Sequence, residues 1–399
     1  MEKGKENKPQ IGIYGKRNAG KSSLINYLTG HEISIVSEKK GTTTDPVKRS
    51  YEILNFAPVI FIDTAGIDDD GNIGGLRIEK TIKTIDKINF AIIVITENNF
   101  DKYEENIIKE CNYYSVPFII VHNKSDIEKL DANLKNELQQ KYNTSIIEFS
   151  TKKNYDKELI FDEIKNNISN DFVEQSSLMG DLLQANDIVL LIMPIDSEAP
   201  TGRIILPQVQ AIRDILDNNC ISICLKESEL EHFLKTNPNI KIKLAVTDSQ
   251  LFGSVDKILP KNIPLTGFSI LLARKKGDFK NYLKGTPKIS ELKDGDKILI
   301  LESCSHNSSC EDIGRVKIPD LLQKFTHKKL NFKVVAGLDN IPEKITDYSL
   351  VIQCGGCVLN KKQILNRLKP ATDAEIPVTN YGMAIAYMNG LFDICPFKL

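Results

Sequence analysis

The chain has 399 residues, and 52 Lys+Arg against 53 Asp+Glu leave a formal net charge of −1. A hydrophobic fraction of 41% with 26% charged residues is ordinary globular composition, which excludes a disordered or collagen-like chain. At roughly 150 residues per domain the length predicts two or three domains, and the balanced charge argues against a protein that coats nucleic acid, so no nucleic-acid partner is expected.

The start, MEKGKENKPQ, lacks the apolar core of a secretory signal. The longest apolar stretch, 188–195, falls far short of the about 20 residues of a membrane span, so no membrane partner and a cytoplasmic location are expected. The runs IGIYG, VIFIDTAG, AIIVIT, PFIIVHNKSD and SIIEFST alternate with amphipathic helical patterns as far as a helix over 161–168. Such alternation predicts an α/β domain over 1–172 whose parallel sheet is covered on both faces. The polar run 169–177 reads as a linker.

Next come IVLLIMPI, a helix over 206–216 with Val209, Ile212, Ile215 and Leu216 on one side, and the strands ISICL and IKLAV. They predict a smaller α/β domain over 173–264, closing in the proline-punctuated stretch 258–267. The remainder, 265–399, offers KILILESC, a helix over 318–325, NFKVVAG, LVIQCGGC and a helix over 361–368. This is a second small α/β domain, without internal repeats or heptads.

Directly after the first strand stands Gly15-Lys-Arg-Asn-Ala-Gly20-Lys21-Ser22, a complete G-x-x-x-x-G-K-[ST] loop opening a helix. Its glycines let backbone N–H groups and the helix N-terminus surround phosphates, so Gly15, Asn18, Ala19, Gly20, Lys21, Ser22 and Ser23 form the expected phosphate site. Lys21 would reach the β and γ oxygens and Ser22 would ligate magnesium. Asp63-Thr-Ala-Gly66 caps a later strand, where Asp63 can hold magnesium through water and the Gly66 amide can sense the γ-phosphate. Asn123-Lys124-Ser125-Asp126 follows PFIIVH. The Asp126 carboxylate can accept from guanine N1–H and the exocyclic amine, whereas adenine presents an acceptor there and is rejected. Lys124 would lie along the base, and Ser150, Thr151 and Lys152 would complete its pocket. In this order the pieces predict a GTP-binding, GTP-hydrolysing domain.

These motifs resemble the translation-factor-type small GTPases, in the branch that contains the tRNA-modification GTPase MnmE and the ribosome-assembly GTPase Era. Gly41-Thr42-Thr43-Thr44-Asp45 is similar to that branch's first switch, which implies that Thr43 completes the magnesium shell. Ile67 follows Gly66 and no glutamine is present to orient water; Asp68 and Asp69 are the candidates. The resemblance further implies that Asn18 coordinates a potassium ion, which would stand in for an arginine finger.

Eight cysteines are too sparse for a disulfide scaffold, so a close cluster of them reads as metal-binding or redox-active. Cys304-Ser-His306 and Cys354-Gly-Gly-Cys357 each follow a strongly apolar run. If those runs are neighbouring parallel strands, three thiolates and one imidazole converge at one sheet edge. Structural zinc, an iron–sulfur cluster, and thiols that only pack a core all fit this pattern. Cys220 and Cys224 read as buried thiols facing one way on a strand, Cys111 and Cys395 as bland thiols, and Cys310 as a reserve ligand.

A GTPase domain followed by PIDSEAPTGRIILPQ and then C-x-H and C-x-x-C resembles the HydF family of [FeFe]-hydrogenase H-cluster maturation GTPases over nearly the whole chain. That resemblance implies a GTPase domain, a dimerisation domain and a cluster domain, in a homodimer. It implies a [4Fe-4S] cluster on Cys304, Cys354 and Cys357, with His306 either a loose ligand or a donor to cluster sulfur. It also implies a scaffold or carrier role: a transient diiron unit bearing CO, cyanide and dithiolate is held and delivered to apo-[FeFe]-hydrogenase, with two radical-SAM maturases upstream. Arg203 would organise an inter-subunit contact. The rival reading is an RNA-associated GTPase of ribosome or tRNA work with a structural zinc.

Overall fold

A computed structural model describes residues 8–30, 47–54, 56–64, 84–152, 156–168, 177–194, 204–303 and 313–392. The chain divides into two compact units, 1–175 and 176–399.

In the first unit β1 (Gln10–Tyr14) leads into α1 (Lys21–Thr29), followed by β2 (Val47–Glu52), β3 (Pro58–Asp63) and β4 (Phe90–Ile95). Then come α2 (Lys102–Tyr113), β5 (Phe118–His122), α3 (Ala132–Tyr142), β6 (Ile146–Glu148) and α4 (Glu158–Asn167). The sheet order is β2-β3-β1-β4-β5-β6, parallel except for β2. All six residues of β4 are buried, as a strand covered on both faces requires. The expected strands are present. The sequence reading passed over β2, whose segment VKRSYE is charged rather than apolar; it is an edge strand exposing Lys48, Ser50 and Glu52 while Tyr51 turns in against Phe61 and Phe161. Asp101 and Glu104 form a capping box that starts α2.

The second unit contains two four-stranded parallel sheets joined by one continuous apolar core. The first is built from β7 (Ile188–Ile192), α5 (Leu206–Asp217), β8 (Ile221–Leu225), α6 (Glu227–Thr236), β9 (Ile242–Thr247), α7 (Phe252–Ile258) and β10 (Leu265–Gly267), in strand order β10-β9-β7-β8. After α8 (Phe268–Lys276) and α9 (Phe279–Gly285) the next sheet follows. It comprises β11 (Lys297–Leu301), α10 (Ile318–Thr326), β12 (Asn331–Val335), β13 (Leu350–Gln353), α11 (Lys361–Asp373), β14 (Val378–Asn380) and α12 (Tyr381–Met388), in order β12-β11-β13-β14. A π-helical turn, Ile313–Lys317, precedes α10.

Three details differ from the sequence reading. The sheet of β7 runs past residue 264, because Leu265 pairs with Ala245 and the proline stretch is a turn in which Ile263 N donates to Pro260 O at 2.9 Å. On α5 the buried side chains are Gln208, Ala211 and Ile215, whereas Val209 and Leu216 stay 46% and 58% exposed. Cys220 is buried just before β8, but Cys224 is exposed, since β8 is the edge of its sheet. The linker over 169–177 and the segment around Arg203 lie outside the described residues, except for Ser177.

Candidate functional site

In a parallel sheet the strand ends share one edge, and the phosphate loop between β1 and α1 lies at that edge. The loop is shaped by Gly15, Asn18 and Gly20, all with positive φ. At Gly20, with φ of 86°, a Cβ would overlap Asn123 Nδ2, so only glycine admits the approach of the base-binding loop. Asn123 uses that proximity: its Nδ2 donates to Ala19 O at 2.8 Å and ties the two loops together. No side chain caps the N-terminus of α1, which leaves its amides for an anion.

Lys21 is buried, and its Nζ donates to Gly15 O and Lys16 O at 2.7 and 2.8 Å, which draws the ammonium over the loop. Ser22 Oγ donates to Asp63 Oδ2 at 2.6 Å. The two side chains expected around magnesium are therefore neighbours although 41 residues apart, and this hydroxyl–carboxylate pair fits a hard cation. Asn18 on the loop and Ser23 in the first turn of α1 are both exposed. Thr43, Gly66, Ile67, Asp68 and Asp69 lie outside the described residues.

The base-binding residues are equally assembled. Lys124 sits in the left-handed region at φ 58°, and Ser125 Oγ donates to Phe149 O at 2.9 Å, which pins the loop to the end of β6. Ser150 Oγ donates to Asp126 Oδ1, and Lys152 N donates back to Ser150 Oγ at 3.2 Å. Ser150 thus does more than line the expected base pocket: it orients the Asp126 carboxylate. Thr151 lies between them. His122, the residue before this loop, is fully buried, and neither ring nitrogen has a hydrogen-bond partner among the described residues. Burial holds its imidazole below its ordinary range, so it packs as a neutral ring.

In the second unit β11 and β13 are adjacent and parallel, with Leu301 opposite Gln353, so the turns that follow them leave from one edge. Cys354 N donates to Leu301 O at 2.9 Å. Ser303 N donates to Cys354 Sγ at 3.1 Å, the Ser303 hydroxyl lies 2.8 Å from the same sulfur, and Gln353 Nε2 donates to Ser303 Oγ at 3.2 Å. Cys354 and Cys357 are half-buried and flank Gly356, whose φ is 69° and whose Cβ would overlap Ile364. Two thiols on a glycine turn at the end of β13, one already receiving an N–H, are donors that fit an iron–sulfur cluster and a zinc ion alike. Cys304, His306 and Cys310 lie outside the described residues, as does Cys395, and among the described residues no three metal-ligating side chains converge.

Residues that carried no motif complete this edge. Lys276 is buried, and its Nζ donates to Gly356 O, Cys357 O and Leu359 O at 3.3, 3.2 and 3.1 Å. The Arg367 guanidinium donates to Glu302 O and Val335 O at 2.6 and 2.9 Å, closing the ends of β11 and β12. Glu302 pairs with Arg315 of the π-helical turn at 2.9 Å. Ser303 adjoins Cys304 in sequence and is the one member that adjacency to a motif signals; Lys276 is 80 residues from Gly356.

Comparison with known proteins separates the units. Residues 10–124 match the 50S ribosome-binding GTPase family, residues 178–277 the hydrogen maturase F dimerization domain, and residues 280–395 the hydrogen maturase F tetramerization domain. GTPase Der of Wolinella succinogenes is 42% identical over 122 residues, covering 30% of this chain and 26% of Der. The tRNA modification GTPase MnmE of Helicobacter acinonychis is 37% identical over 155 residues, covering 38% and 34%. GTPase Era of Caldicellulosiruptor saccharolyticus is 28% identical over 242 residues, covering 55% and 77%. The chain thus spans about a quarter to a third of the Der and MnmE relatives. No helix among the described residues is long and apolar enough to cross a membrane. With a GTPase domain at its front and two maturase domains filling almost all of 178–395, the chain belongs to the hydrogen maturase F family.

Proposed function

We propose that this chain hydrolyses GTP and serves [FeFe]-hydrogenase maturation as a homodimeric scaffold or carrier, whose second unit holds a [4Fe-4S] cluster on Cys304, Cys354 and Cys357. The observation that supports the reading is the pairing of β11 with β13, the strands that precede Cys304 and Cys354 in sequence and that end at one sheet edge. Lys21, Ser22 and Asp63 hold the phosphates and magnesium, with Thr43 and Gly66 as the switch groups; Asn18 takes potassium, and Asp126, oriented by Ser150, selects guanine. His306 would be either a loose ligand of the cluster or a donor to its sulfur. A cluster held by Cys304, Cys354 and Cys357 would supply an iron with an exchangeable ligand position for the incoming diiron unit bearing CO, cyanide and dithiolate. Apo-[FeFe]-hydrogenase is the recipient and two radical-SAM maturases are the suppliers. The chain's own part is to present three thiolates on a rigid edge, donate N–H to sulfur from Ser303, and keep the turn compact through Gly356.

Anaerobic reconstitution of the full chain with iron and sulfide tests this. The wild type takes up about four irons and four sulfides per chain, and added cyanide or imidazole changes its EPR spectrum. Cys354→Ser loses the iron while GTP turnover stays within about twofold, because the nucleotide residues lie in another compact unit. Stoichiometric zinc without sulfide would overturn the reading.

A further inference from the structure

Lys276 ends α8, the helix that follows the last strand of the sheet of β7, yet its ammonium serves the other sheet. A helix-terminal lysine ordinarily extends into water or toward its own helix carbonyls. Here the side chain is 5% exposed and donates to three carbonyls of a single short loop, Gly356, Cys357 and Leu359. A neutral amine has two N–H donors, whereas an ammonium has three. Three acceptors therefore select the charged form, and a buried ammonium is costly unless its surroundings are hydrogen-bonding or anionic.

The same helix face continues beneath the loop. A Cβ on Gly355 would sit 3.4 Å from Ser269 Cβ and 3.7 Å from Leu272 Cδ1, and residues 269, 272 and 276 recur at helical spacing on one side of α8. At its other flank α8 is tied down by an ion pair between Arg274 and Asp181. The CxxC loop thus rests on a helix anchored in the neighbouring sheet, with a fixed cation beneath it.

We propose that Lys276 is a positioning residue for the inorganic centre: it locks Gly356–Leu359 in the shape that presents Cys354 and Cys357, and its charge favours the reduced, more anionic state of the centre. This rests on the cluster reading above. A cluster held by thiolates is net anionic, so a cation buried against its loop stabilises each added negative charge through a low-dielectric path.

The test uses the purified full chain under anaerobic conditions, as wild type, Lys276→Met, Lys276→Gln and Lys276→Arg. Before any iron is added, the rate of iodoacetamide labelling of Cys354 and Cys357 is followed by mass spectrometry; after loading with iron and sulfide, the midpoint potential is measured by dithionite titration with EPR detection. Lys276→Met labels about tenfold faster, and its equilibrium constant for reduction falls about tenfold, which is about 59 mV for one electron. Lys276→Arg restores both values. Lys276→Gln keeps a donor without the charge, so it retains slow labelling with the lowered potential, and it decides the question should Lys276→Met fail to fold. Wild-type labelling and potential in Lys276→Gln and Lys276→Met would overturn the role of Lys276 alone. A wild type that takes up no iron and sulfide would overturn the cluster reading, and the role toward the cluster with it.

Discussion

At Asp126 the proposed base selection rests on a single carboxylate, which Ser150 holds in place by donating to Oδ1. Replacing Asp126 with Asn turns an acceptor pair into one acceptor and one donor, which opposes the guanine amine but suits the carbonyl of xanthine. Asp126→Asn is expected to weaken GTP by about 100-fold or more and to hydrolyse xanthosine triphosphate in its place; unchanged preference in a competition assay would refute the assignment. Asn18 sits exposed at φ 62° in the phosphate loop. Asn18→Ala is expected to bring the hydrolysis rate in potassium down to the rate in sodium, about tenfold, and a wild-type rate equal in both salts would remove potassium from the scheme. The motif residues were legible because each carries a chemical function fixed by sequence order. Lys276 and Arg367 were not, because their partners are backbone carbonyls brought near only by folding, and Ser303 was signalled only by its place beside Cys304.

Among the elements, the parallel strands were legible from their unbroken apolar runs, and β2 was not, because an edge strand needs only every second side chain turned inward. The helix α5 shows the converse failure. Periodicity identified a helix and an apolar side correctly, but an apolar side does not say whether it meets this chain's core or another surface. Val209 and Leu216 stand one heptad apart in the open, with Ile221 48% exposed on the neighbouring edge strand β8. The match to a dimerization domain makes a second copy of the chain the occupant to test. Val209→Asp and Leu216→Asp are each expected to weaken the dimer about tenfold, read as a shift toward monomer mass in light scattering, with GTP turnover unchanged. A variant carrying both changes that remained fully dimeric would locate the interface elsewhere.

For the whole molecule, the proposed function requires that nucleotide state in one compact unit bear on delivery from the other, which it can do only by changing an interface. Binding of apo-hydrogenase is therefore expected to differ by about fivefold or more between chain loaded with a GTP analogue and chain loaded with GDP; equal affinities would leave hydrolysis without a role in delivery. The three sheets and their order were legible in the sequence, whereas the end of the second sheet was not, since proline marks turns within a sheet as readily as links between domains. The position of β14 bears on the order of biosynthesis. Its residues 378–380 lie beside β13; Val378 packs its backbone against Gly285, and Thr379 Oγ1 is 2.6 Å from Thr286 Oγ1. A nascent polypeptide lacks this wall until translation has passed residue 380, long after the nucleotide-binding unit has emerged and folded. The sheet that bears Cys354 and Cys357 is accordingly completed late, on a chain whose first unit is already folded.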